Sequence, residues 1–296
     1  MPTHTSSISV QILFFSLLAW GGNTSVLAHS FYLGYSQSEQ TSYIGERALN
    51  FSPVGVSGLI SFDLGKDWSI TLDHASLNDS QSIARTVDGA LDIESWGAGL
   101  NYYWDKWALS VAYSDWQDEL HIRTENDIVR FEQSTESPAS SVSLSYNWGG
   151  ADWQIELATG LHYSNWSQAL LSQARLDQPE QTALDEGDST FISTSVSATK
   201  LVPINAQNQL VFGGSFSWNY LTDNESIAVS RNGRNISQIS QRLSAATVTG
   251  TESYGQLNLY ISYDISESLL IDIDSTFDVG AQESTQAWSF NVGYLF

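Results

Sequence analysis

The sequence predicts an all-β fold, a closed antiparallel barrel of about twelve strands that crosses a membrane with its apolar side chains outermost. Three observations carry that expectation. Apolar residues recur at every second position in segment after segment. The connections between those segments alternate short and long. Beyond the first 30 residues, no stretch approaches the roughly 18 consecutive apolar residues of a spanning helix.

The leading stretch, "MPTHTSSISVQILFFSLLAWGGNTSVLAHS", reads as a secretory signal. Its apolar run from Ile8 to Ala19 is too short to span a bilayer, and Val26-Leu27-Ala28 offers small residues at the cleavage positions. Residues 1–28 are therefore expected as signal peptide and 29–296 as barrel, although the leader lacks Lys and Arg. There is no cysteine, so disulfides contribute nothing to stability. The net charge is −22, with only 11 basic residues against 33 acidic ones. A nucleic-acid partner is excluded, because no basic face is available for phosphates.

The period-two segments follow in order. Expected strand cores are 30–37, 54–64, 68–77, 95–104, 107–117, 140–148, 152–166, 190–202, 209–221, 253–265, 269–279 and 286–296. In one of them Trp107, Leu109, Val111 and Tyr113 alternate with Ala108, Ser110, Ala112 and Ser114. Most match the 9–11 residues that a tilted strand needs to cross a bilayer. Tight turns are expected at 65–67, 105–106, 149–151, 203–208 and 266–268. Longer polar connections are expected at 38–53, 78–94, 118–139, 167–189, 222–252 and 280–285. A soluble sandwich would mix its turn lengths at both ends. One-sided asymmetry instead fits short periplasmic turns and longer extracellular loops.

Closure follows from the solvent. An unpaired backbone group in hydrocarbon costs several kcal/mol, so no sheet edge can stay open there. Trp68, Trp104, Trp107, Trp148, Trp153 and Trp288 stand near strand ends, where amphipathic rings suit the headgroup level.

The last segment, "WSFNVGYLF", puts Trp288, Phe290, Val292, Tyr294 and Phe296 on one face. It resembles the carboxyl-terminal signature of bacterial outer-membrane β-barrel proteins. That resemblance implies an outer-membrane location, contact with outer-membrane lipid, and recognition of these five residues by the barrel-assembly machinery. The hairpin "GLNYYWDKWALSVAYS" (99–114) is similar in style to those of autotransporter-type barrels. The first strand begins directly after the expected cleavage point, so no passenger is expected, nor a plug domain.

The opposite, inward parity carries Ser, Gly, Ala, Asn, Thr and Gln, and also Asp63, Asp73, Glu156, Asp264, Asp272, Asp274 and Asp278. Arginines fall in loops or at their edges, and Lys66 and Lys106 in turns. A wall of carboxylates favours cations, so a narrow, passive channel for small cationic solutes is one expectation. The other is a non-conducting structural or surface-interaction barrel, with 222–252 folded inward as a plug. Asp272, Asp274 and Asp278 share a wall, but same-face neighbours stand about 7 Å apart along a strand. Neither a metal nor a cofactor is expected. His162 lies near Ser164, with Asp73 and Asp118 as candidate orienting carboxylates for a rim hydrolase. His29, His74 and His121 are the remaining histidines after the leader, and no hydrolase motif links any of them, so no enzyme is expected.

Removing Phe296 is expected to lower the yield of assembled barrel in cells more than it lowers the stability of barrel already folded. Comparing membrane-fraction yield with urea midpoints of refolded protein checks this.

Overall fold

The computed structural model describes residues 29–44, 47–124, 130–173, 180–205, 208–230, 253–279 and 286–295, with backbone alone at 29, 40–44, 47–48, 181 and 223–230. The expected leader, Phe296 and residues 231–252 of the expected plugging loop lie outside the described residues.

The strands are β1 (His29–Ile44), β2 (Arg47–Phe51), β3 (Val54–Asp63), β4 (Trp68–Ala84), β5 (Val87–Trp104), β6 (Trp107–Thr124) and β7 (Arg130–Glu136). They continue as β8 (Ala139–Gly149), β9 (Trp153–Gln173), β10 (Gln181–Pro203), β11 (Gln209–Ser230), β12 (Tyr254–Asp264), β13 (Leu269–Val279) and β14 (Gln286–Leu295). Two prolines interrupt staves without shifting their register. β2 and β3 continue one line along β1, from Gln40↔Phe51 to Gln37↔Val54. β7 and β8 likewise share one line along β6 and one along β9. The fourteen segments therefore make twelve staves, each antiparallel to its neighbours. β14 pairs with β1 and β9 pairs with β10, which closes the cylinder.

The short turns fall where the sequence places them. Trp104 pairs with Trp107 across the two-residue turn at Asp105 and Lys106. Asp105 has φ 52°, a left-handed value that Asp tolerates better than most residues. Gly65 supplies φ 82° in the preceding turn.

The long connections differ from a loop picture. They lie opposite the short turns, as expected, but much of their length is strand. β4 runs on to Ala84, β6 to Thr124, β9 to Gln173 and β11 to Ser230. The reason is an inversion of polarity along each stave. In the band nearer the short turns, Val111, Leu144, Leu157, Val196 and Ile261 are exposed on the outer face, and serines and glycines fill the inner one. Farther along, the outer residues of β6 become Gln117, Glu119 and Arg123, while Leu120 and Ile122 on the inner parity are buried. Lipid rewards apolar residues outside and water rewards them inside, so the inversion marks where the bilayer ends.

Aromatic pairs mark both borders. Near the short turns Trp68 lies tilted against Tyr102 at 4.5 Å and Trp107 meets Tyr146 edge-on at 4.9 Å between ring centroids. At the other border Trp96 lies 5.2 Å from Tyr113, and its indole N–H donates to Asp115 at 3.2 Å. Trp153 and Tyr163 on β9 stand ten residues apart. At ~3.3 Å per residue and a tilt of about 40°, that spans roughly 25 Å, the height of an outer-membrane apolar band.

Val111→Arg, at the centre of this band, is expected to cost about 2–4 kcal/mol, measured by urea unfolding in lipid vesicles. Ser140→Arg, on the outer face level with the border rings Tyr113 and Tyr163, is expected to cost well under half as much.

Candidate functional site: the polar lumen and its apolar cap

The inner face divides into two zones. Within the bilayer band it is a polar wall in which side chains bond from stave to stave. Ser36 and Ser57 share a hydrogen bond of 2.8 Å. Asn101 donates to Ser69 at 3.2 Å, and Gln154 to Asn147 at 2.8 Å. Thr199 bonds the Tyr260 hydroxyl. Each such bond between partly buried groups contributes about 1 kcal/mol and adds to the backbone ladders of the wall.

The acidic residues chosen from the sequence all fall on this inner parity. Asp272 and Asp274 of β13 are brought together by Asn291 of β14, whose amide donates to Asp272 at 2.7 Å and to Asp274 at 3.3 Å. Ser289 also bonds Asp274. Asp278 stands apart from this pair and accepts from Gln256 at 3.1 Å. Asp63, Asp73 and Glu156 come from β3, β4 and β9, and Asp264 from the short-turn end of β12. The structure therefore distributes the seven carboxylates over several staves and joins only Asp272 and Asp274 closely. One carboxylate oxygen of Asp73 and one of Asp272 are buried without a hydrogen-bond partner among the described residues. Among the described residues no group of three His, Asp or Glu side chains gathers as a metal site.

Among the described side chains, no Lys or Arg lies on this wall. Lys66, Arg85 and Lys106 are exposed in turns, and Lys200 reaches Asp152 at 3.0 Å at the short-turn end. Arg123 and Arg130 lie on the outer face beyond the bilayer and both bond Glu132 at 2.8 Å. Burial disfavours the Glu132 charge, but hydrogen bonds from Arg130 and Arg123 outweigh it and hold the carboxyl down to about 2.

Above the polar wall, the inner face turns apolar. Leu49 and Phe51 of β2 join Leu77, Leu91, Ile93, Leu120, Ile122, Phe131, Leu170 and Ala183 in one buried cluster. Leu77 and Leu91 are 0% exposed and Phe51 is 1% exposed. All but Leu77 fall within the expected loops, so the sequence reading missed them. The available signal was inverted alternation, as in "DELHIRT" (118–124), where Leu and Ile separate charged residues. Among the described residues, the cap is built by strand residues.

Asp118 sits at the seam between the zones, on the inner face of β6 and five residues beyond the border ring Tyr113. It is buried, and burial followed by the nearby Glu119 pushes its carboxyl up to about 7, against hydrogen bonds from Thr135.

Of the histidines, His162 bonds Ser193 of β10 at 2.8 Å, not Ser164. Neither Asp73 nor Asp118 is among its hydrogen-bond partners in the described residues, so the orienting carboxylate expected from sequence is not assembled. His74 points outward and bonds the Ser95 carbonyl at 2.9 Å, and His121 lies on the outer face beside Glu119 and Glu132. The side chain of His29 is not described.

A shallow outer pocket of about 430 Å³ lies beside the Pro138 interruption, lined by Glu136, Pro138, Asn165, Glu186 and Asp188 among others.

No protein-family model matches the chain, and no curated protein matches its sequence. Solved structures do resemble it. The translocator domain of autotransporter NalP from Neisseria meningitidis superposes with a TM-score of 0.62 at 13% identity, covering 93% of this chain and 90% of that one. The β domain of the Bordetella autotransporter BrkA gives 0.58 at 12% identity, covering 92% and 99%. The transport unit of autotransporter AIDA-I from Escherichia coli gives 0.52 at 9%, covering 97% and 94%. At such identities the likeness is one of fold.

Folded Asp118 holds its proton up to about pH 7, whereas the unfolded carboxyl loses it near the ordinary value of about 4. Its contribution to stability is therefore fully present below about pH 4 and lost as pH rises toward about 7. Asp118→Asn is expected to flatten that part of the profile, checked by urea midpoints from pH 4 to 8.

A closed twelve-stave cylinder with an apolar outer band, aromatic borders on both sides and the fold of outer-membrane translocator domains makes this chain an integral outer-membrane β-barrel.

Proposed function

We propose that the barrel is a narrow passive diffusion channel with a preference for small cations. One observation carries this reading. Asp63, Asp73, Glu156, Asp264, Asp272, Asp274 and Asp278 occupy the inner parity, and every Lys and Arg with a described side chain lies in a turn or on the outer face. Carboxylates lining a low-dielectric passage raise the local concentration of cations and repel anions. Twelve staves enclose a lumen between the filled eight-stranded barrels and the wide porins, which suits small solutes.

The apolar cap favours a second reading, a barrel that is closed at rest and meets partners through its protruding hairpins. Their outer face is acidic, with Glu94, Glu119, Glu136 and Glu186 exposed. Translocation is the printed role of the similar domains and is not taken over, because identities of 9–13% carry the fold alone. The lumen His162 and Ser193 are read as part of the polar wall, without a catalytic role. Small cationic solutes, outer-membrane lipid and the barrel-assembly machinery are the proposed partners. The five closing residues Trp288, Phe290, Val292, Tyr294 and Phe296 form the proposed assembly signal, and the first four stand on the lipid-facing side of β14.

Planar-bilayer recording of the purified chain is expected to show a reversal potential on the cation side in a salt gradient. Asp272→Asn combined with Asp274→Asn should reduce that selectivity and leave the assembled barrel intact. An anion preference, or no conductance under any tested voltage, would count against the channel and leave the second reading.

A further inference from the structure

We propose that the end of β2, from Leu49 to Pro53, is a gate at the external mouth, carried by its ladder to β1 and detachable from β4, against which it is seated by side chains instead of sheet. This rests on the diffusion-channel reading. The ladder between β3 and β4 ends at Val54↔Asn78, and no β2–β4 ladder continues it. On its other side β2 stays paired with β1 up to Ile44↔Arg47. Above Pro53 the wall therefore has a seam.

Among the described residues, two side-chain bonds cross that seam. The Ser52 N–H donates to Asp79 Oδ2 at 2.7 Å, and Gln81 Nε2 donates to the Asn50 carbonyl at 2.6 Å. Apolar contact supplies the rest. Leu49 and Phe51 point inward and belong to the buried cluster. Gly89 on β5 forms the floor of the Phe51 seat. A Cβ at that position would lie 3.3 Å from Phe51 Cζ and 2.6 Å from Ile83 Cδ1. Pro53 stands at the base, buried, and its carbonyl accepts from the Ser38 N–H at 3.0 Å. Proline has no N–H to lose where the β4 ladder stops.

The other proline break provides the comparison. At Ser137 and Pro138 both flanking ladders run through in register, with Ser137 N–H donating to the Trp116 carbonyl and Asn165 N–H to that of Pro138. Proline alone does not open a seam. At β2 the sheet itself is interrupted on one side, and release there breaks apolar contacts and two side-chain bonds without unzipping β3 from β4. Among the described residues, Leu49 and Phe51 are the cluster members that β1, β2 and β3 contribute, so displacing them opens the cap on that side of the mouth.

The chain lacks cysteine, so Asn50→Cys with Gln81→Cys leaves one thiol pair. The full-length double variant is recorded in planar bilayers, first bridged by a short bis-thiosulfonate reagent and then reduced in place. The expected result is an open probability about tenfold lower when bridged, recovered on reduction, with Phe51→Ala more open than the unmodified chain. Equal conductance in the bridged and reduced forms overturns the gate and leaves the channel standing. Silence in the reduced form and in Phe51→Ala, with both inserted and heat-modifiable on gels, overturns the channel reading and the gate with it. Because bridged and reduced forms are the same folded molecules, misfolding cannot mimic the expected difference.

Discussion

Backbone N–H and C=O groups in hydrocarbon have no water to bond, and that constraint shapes everything else in this chain. An open sheet would leave one row of such groups on each edge, each costing several kcal/mol. Pairing β14 with β1 and β9 with β10 removes both edges. Once the cylinder is closed, alternation assigns every side chain to lipid or lumen, and the two solvents choose the residues. The outer valines, leucines and tryptophans of the band would be an aggregation hazard on a soluble sheet. Here they are the surface that the bilayer wets.

Beyond the bilayer the same staves continue in water, and the logic reverses. Leu91, Leu120, Phe131 and Leu170 turn inward and form a dry core, while Glu119, Glu132 and Glu186 face out. Each hairpin needs that core, because a two-stranded ribbon alone is marginal in water. The price of an apolar interior above a polar lumen is a sharp boundary, and Asp118 lies on it, buried and inclined to hold a proton. On the proposed channel reading, stability of the extension and permeability of the mouth are opposed, because the same apolar residues serve the one and narrow the other.

The polar wall and the seam at β2 show how one sheet can be rigid in one place and separable in another. Across the band, ladders are continuous and are reinforced by side-chain bonds such as Asn291 to Asp272. At Leu49–Pro53 the ladder on the β4 side is replaced by Asp79 and Gln81 side chains. A ladder loses its bonds cooperatively, whereas two side-chain bonds and an apolar seat can be released locally.

The period-two pattern, the tight turns and the lack of a spanning helix determined the class, the twelve staves and the site of each short turn, because alternation with an apolar outer face has few other solutions. Parity also determined that Asp272, Asp274 and the other carboxylates share the inner face. Polar composition hid the rest. Residues 78–94 and 118–139 read as loops because their outward residues are polar or charged, yet β4 runs to Ala84, β5 starts at Val87 and β6 runs to Thr124, because the inner face finds partners on distant staves. Only the tertiary structure could decide that Leu120, Leu170 and Phe51 meet, that Asn291 joins two aspartates, and that His162 faces Ser193 instead of Ser164. Those pairings depend on register across the barrel, and register is set by the closure of the whole sheet, which no single strand encodes.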